Sequence, residues 1–234
     1  MPLTIPVILL LAMLIWSTPS KAWAADETTP AFARFVSCSK PGVDESIDVD
    51  DVVIEIDASL PQTGKHGRFE GIRHRGPTGV PEYELMSCEG DPTVKHQVIA
   101  RYLTAERQAC AGPPESLALT PENYKFRYKA SIELAPDRFL VFAIKPRHRT
   151  KGMIEGEIWI DAATGAVVHQ EGRLTTGASL FLRRVVIVRD TGSRVDLPYF
   201  RVTRVDIETR SFGRAELTIR ERPACRSRMI YPQP

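Results

Sequence analysis

Cysteine is scarce in this chain: Cys38, Cys88, Cys110 and Cys225 are the only four in 234 residues, and no two form a Cys-x-x-Cys pair. That leaves a zinc ribbon or a thioredoxin-like redox motif without support. An excess of one charge is also missing. Lys plus Arg number 31 and Asp plus Glu 29, a formal net charge of +2. Lys21 lies in a segment expected to be removed, so the mature balance is 30 − 29 = +1. A near-neutral chain has no global electrostatic reason to hold nucleic acid, and none is expected as a partner. Residues 5–16 form the one long apolar run, so no integral membrane segment is expected once that run is gone. With 43% hydrophobic and 26% charged residues, collagen-like, disordered and coiled-coil classes are excluded.

Motifs that carry chemistry are missing too. Gly177-Ala178-Ser179-Leu180-Phe181 lacks the second glycine of a nucleophile elbow and leads into a strand pattern. The five histidines, at 66, 74, 96, 148 and 169, are scattered, with no His-x-x-x-His spacing. The acidic run from Asp44 to Asp51 lacks the central glycine and closing glutamate of an EF-hand loop. No glycine-rich phosphate loop occurs. The chain therefore reads as a non-enzyme without metal or other cofactor.

The residues present begin with an address. The run at 5–16 is too short to span a bilayer, which takes ~20 residues. It is followed by Ala22-Trp23-Ala24, whose small first and third residues fit a signal-peptidase site. Residues 1–24 are expected to be a signal peptide cleaved before Ala25, and residues 25–234 a single exported, periplasmic domain. An even number of cysteines in an oxidising compartment suggests two disulfides. Residues 91–110 read as a continuous helix, which would hold Cys88 and Cys110 roughly 30 Å apart at ~1.5 Å per residue. A disulfide needs Cα atoms within about 7 Å. Cys88 and Cys110 are thus expected to pair with Cys38 and Cys225, in an order the sequence leaves open.

Along the chain, Thr29 and Pro30 suggest the start of a short helix over 30–38. Strands are expected over 52–56, 69–75 and 83–88. Asp91-Pro92 then caps a helix with an apolar stripe of Val94, Val98 and Tyr102, flanked by Ile99 and Leu103. Gly112-Pro113-Pro114 ends it. From there the period becomes two: Tyr124, Phe126, Tyr128, Ala130, Ile132 and Leu134 alternate with polar residues. Further strands are expected over 139–145, 153–161, 166–174, 179–190, 202–209 and 212–220. In the last, Ala215, Leu217 and Ile219 face in, while Arg214, Glu216 and Arg220 face out. About ten strands in a meander, interrupted once by a helix, predict a mainly β (α+β) domain. One or two helices are a thin cover for so large an apolar sheet face, which hints at a groove.

Several segments, in order, resemble a known group: Val94-Lys95-His96-Gln97-Val98-Ile99-Ala100-Arg101-Tyr102-Leu103, Thr120-Pro121-Glu122-Asn123-Tyr124-Lys125-Phe126, Ile144-Lys145-Pro146-Arg147, Gly156-Glu157-Ile158-Trp159-Ile160-Asp161, Glu171-Gly172, and the closing Gly213-Arg214-Ala215-Glu216-Leu217. The group is the LolA-like superfamily of periplasmic lipoprotein carriers and outer-membrane lipoprotein-sorting proteins. The resemblance covers roughly residues 50–220. It implies a strongly curved antiparallel sheet, an incomplete β-barrel, with helices over its concave face, and carriage of an apolar ligand such as a lipid or lipoprotein acyl chain. Under that reading Tyr124, Phe126, Tyr128, Ile132, Leu217 and Ile219 line the hollow. The basic loop residues Lys145, Arg147, Arg149 and Lys151 would meet anionic headgroups or an acidic partner. The alternative is an interaction module for another envelope protein, with the hollow filled by its own side chains.

Overall fold

A computed structural model describes residues 23–39, 51–76, 79–148, 150, 152–175, 182–192, 200–210 and 213–224. Ten strands form one antiparallel sheet in the order β3-β2-β1-β10-β9-β8-β7-β6-β5-β4. They are β1 (Asp51–Leu60), β2 (Lys65–Arg75), β3 (Pro81–Gly90), β4 (Tyr124–Leu134), β5 (Asp137–Pro146), β6 (Ile154–Asp161), β7 (Val167–Leu174), β8 (Leu182–Gly192), β9 (Phe200–Thr209) and β10 (Arg214–Pro223). The expected meander holds within each half but not across the whole. The first and last strands pair, with Ile56 opposite Ile219 and Ala58 opposite Leu217. That pairing places β3 and β4 at the two edges, unjoined to each other. The sheet is therefore a strongly curved, incomplete barrel.

Two helical runs, besides short 3-10 turns at Pro61–Thr63 and Pro114–Ser116, complete the described elements. Helix α1 (Trp23–Cys38) is longer than expected and carries Pro30 inside it rather than in its first turn. A proline there removes one backbone hydrogen bond and ends nothing by itself. The residues that dock the helix, Phe32 and Phe35, follow it. Helix α2 (Pro92–Val94), a π turn (Lys95–Ile99) and α3 (Ala100–Cys110) run on continuously from β3. Asp91 caps this run as its sequence suggests, accepting a hydrogen bond from the Thr93 N–H at 2.7 Å. The π turn inserts one residue per turn locally, so Val98 and Ile99 both face the sheet beside Val94.

Strand alternation sorts charge from core. The outer face carries a lattice of ion pairs: Arg68 with Glu55 and Asp57, Arg220 with Asp57, Arg214 with Asp206, and Arg204 with Asp190. Inward residues of β10 are buried as expected, Ala215, Leu217 and Ile219 among them. The concave face holds two separate cores. Under α2 and the π turn, Ile54, Ile56, Phe69, Val94, Val98, Ile99, Val205 and Leu217 pack together. Under α1, Phe35, Tyr124, Leu140, Phe142, Ile144, Ile158 and Ile160 do so.

Candidate functional site: the concave face

Register shows what lies between the two cores. One row of inward residues crosses the sheet as Phe126, Ile144, Gly156, Gly172, Ile187, Val205, Leu217, Ala58 and Gly67. Its middle is a pair of glycines on adjacent strands β6 and β7. A Cβ on Gly156 would lie 2.0 Å from the Glu171 carbonyl oxygen, and one on Gly172 would lie 2.5 Å from that of Glu155. Only glycine permits this backbone approach, which bends the sheet between the cores. These two positions carry no side chain of their own: Ile154 packs its Cγ2 against Gly172, 2.6 Å from where that Cβ would lie, and Ile144 and Ile187 flank the pair.

The turn between β6 and β7 fastens one helix over this floor. Asp161 Oδ1 accepts from the backbone N–H groups of Ala163 and Thr164 at 3.0 and 2.7 Å. Gly165, at φ +80°, brings the turn against the α1 backbone, where a Cβ would lie 2.7 Å from the Phe35 nitrogen. Arg34 of α1 donates to the Ala162 carbonyl at 2.6 Å. On the other side Lys65 of β2 grips the start of α2, with its Nζ 3.1 Å from Thr93 Oγ1 and 3.3 Å from Asp91 Oδ2.

The residues expected at the hollow divide between the cores, with all three aromatics in the core under α1. Tyr124 is buried, and its hydroxyl accepts from the Ile154 N–H at 3.4 Å. Phe126 is half-buried, with its ring centroid 5.3 Å from that of Phe32 and 5.6 Å from that of Phe35. Tyr128 packs edge-on to Phe142 at 5.7 Å. Leu217 and Ile219 lie in the other core, across the glycine strip. Ile132 does not join them. A bulge between Tyr128 and Ala130 shifts the alternation, so Ile132 pairs with Phe139 and falls on the opposite face from Tyr128. Lys145 is exposed and lies 3.7 Å from Glu155, while Arg147 donates to the Pro121 carbonyl at 2.7 Å. Arg149 and Lys151 lie outside the described residues. Cys88 and Cys110 carry free thiols and are not joined to each other. Their expected partner Cys225 and the side chain of Cys38 lie outside what is described.

Sequence reasoning missed a polar end to the concave face. One row beyond the glycines, Gln170, Arg189 and Thr203 stand side by side on β7, β8 and β9, and the next row pairs Arg201 with Glu221. Gln170, Thr203 and Glu221 are buried. Arg73 of β2 bridges two carboxylates: its Nη1 donates to Glu106 Oε1 of α3 at 2.9 Å and lies 2.6 Å from Glu221 Oε1. The second contact is an ion pair without hydrogen-bond alignment. The Tyr83 hydroxyl donates to Glu106 Oε2 at 2.7 Å, and Arg201 reaches Glu221 Oε2 at 3.7 Å. Burial alone would lower the Arg73 guanidinium, but Glu221 and Glu106 together hold it above its ordinary value. Burial, then the Glu106 charge, pushes the Tyr83 and Tyr102 phenols up. The inward parity of Arg73, Arg189 and Arg201 was legible in the alternation of their strands. What was not legible is that all three strands lie together, because β2 meets β8 and β9 only through the β1–β10 pairing.

Among the described residues no helix is long and apolar enough to cross a membrane, and no group of three or more His, Cys, Asp and Glu could hold a metal ion. No family model, curated protein or solved structure matches the chain.

Proposed function

We propose that the protein is a non-enzymatic carrier of an apolar ligand, a lipid or a lipoprotein acyl chain, which it holds on the concave face of the sheet in the periplasm. The observation that carries this reading is the strip floored by Gly156 and Gly172 between two separately covered cores. The two positions carry no side chain of their own and Ile154 lies against Gly172, so the ground between the cores is apolar on every side. Each methylene buried there is worth about 0.8 kcal/mol, so one long chain supplies useful, reversible affinity. The resemblance to LolA-like carriers supports the same reading, as does the cover of only two helical runs over ten strands.

Phe126 stands beside the strip, one strand beyond Ile144. Replacing a fully packed phenylalanine by alanine costs about 3–5 kcal/mol. For Phe126→Ala urea unfolding should show less than that, while displacement of a fluorescent fatty-acid probe shows weakened binding. A full loss of stability, with no probe binding by the wild type, would reject carriage. The second reading, docking of another envelope protein, would then stand. It is favoured by Leu85 and Met86, which are 62% and 57% exposed on edge strand β3.

A further inference from the structure

The concave face is graded. The row of Val205 and Leu217 is apolar, and the row beside it holds Gln170, Arg189 and Thr203. Of the arginines gathered there, Arg73 contacts Glu106 and Glu221, and Arg201 contacts Glu221. Arg189 differs. Its Nε lies 3.3 Å from Thr203 Oγ1 and its Nη1 3.4 Å from Gln170 Oε1, both long contacts to neutral oxygens. No described carboxylate lies within ion-pair distance of it. The residue is half-buried, and its neighbours Gln170 and Thr203 are buried. Tyr102 of α3 packs against the core under α2 and the π turn, and burial, then the charges of Glu106 and Glu221, push its phenol up.

We propose that Arg189 is the headgroup site of the ligand: the hollow takes an amphiphile whose anionic end, a carboxylate or a phosphate monoester, sits on Arg189 between Gln170 and Thr203, with its chain on the glycine-floored strip. This rests on the carrier reading and adds the ligand's charge and orientation to it. Gly172 is two residues from Gln170 along β7, so a chain anchored at Arg189 enters the strip directly. A guanidinium presents N–H groups in a fork that matches a carboxylate or phosphate with two parallel hydrogen bonds, and such charge-assisted bonds are strong where water is scarce. Burial and the nearby Arg201 already push the Arg189 guanidinium below its ordinary value, against the pull of Tyr102, Glu221 and Glu106. An arriving anion relieves that cost, and a neutral headgroup does not.

The test compares dodecanoate, dodecyl phosphate and dodecanol, each displacing a fluorescent probe from the full chain. Wild type should bind at least one of the two anions about tenfold or more tighter than the alcohol, and which anion it prefers identifies the headgroup. In Arg189→Gln the ratio of anion to alcohol affinity should fall to about one. Arg189→Lys, which keeps the charge without the fork, should lose part of the preference and serves if the Gln variant does not fold. Equal wild-type affinity for all three ligands would overturn the headgroup site while leaving carriage intact, as would an unchanged ratio in the variants. Failure of all three to bind would overturn carriage itself.

Discussion

Charged residues in this protein play two roles that composition cannot separate. On the convex face they pair in exposed lattices, each pair worth little alone. On the concave face Arg73, Glu106 and Glu221 form a partly buried chain in which removing one member strands another. His74 belongs to the first kind and reports on pH. Its Nδ1 lies 2.6 Å from Asp51 Oδ1 and its Nε2 3.3 Å from Glu84 Oε2. The hydrogen bond to Asp51 raises it above the ordinary 6.5 against a smaller desolvation, with Glu84 adding to the rise. A raised value means a contribution to stability that is complete below the unfolded value and is lost as pH rises through the folded one. The stability difference between wild type and His74→Asn should therefore be complete below about pH 6 and shrink as the pH rises past 6.5 and through the raised folded value. Urea unfolding at a series of pH values checks this, and a difference that stays constant or grows would contradict it.

At the scale of elements, the glycine pair is the most demanding feature. Gly156→Ala should destabilise by about 2 kcal/mol or more, because its Cβ meets backbone that cannot move aside. Gly112→Ala, whose Cβ would meet only the Ala109 carbonyl at 3.9 Å, should be near neutral. Equal effects in thermal or urea melts would mean that the strands do not approach as described. The strands themselves were legible because period-two alternation is a local property: β4, β6 and β10 run almost where Tyr124, Ile158 and Leu217 place them. The helix after β3 was legible from Asp91-Pro92 and its stripe. Three things were not. The π turn at Lys95–Ile99 fits a stripe that reads equally well as plain helix. The bulge after Tyr128 sends Ile132 to the other face, and nothing in the run of residues marks it. The pairing of β1 with β10 depends on contacts more than 150 residues apart in sequence, which alternation cannot encode.

For the whole molecule, the lasting consequence of that pairing is a sheet that curves without closing. The chain passes from one edge, β3, to the other, β4, by way of the helical run, and the two edges do not pair. Two cores, each under its own helix, leave the ground between them to Gly156 and Gly172, and the arginine cluster closes one end. On the proposed reading that ground takes an amphiphile; on the alternative the chain's own side chains fill it. The direct test is to purify the full chain from the periplasm without detergent, extract it with organic solvent, and analyse the extract by mass spectrometry. The account predicts a co-purifying anionic amphiphile near one per chain, lost and regained when the protein is stripped and re-exposed to dodecanoate. An extract free of amphiphile, from a protein that takes up neither dodecanoate nor dodecanol, would contradict it.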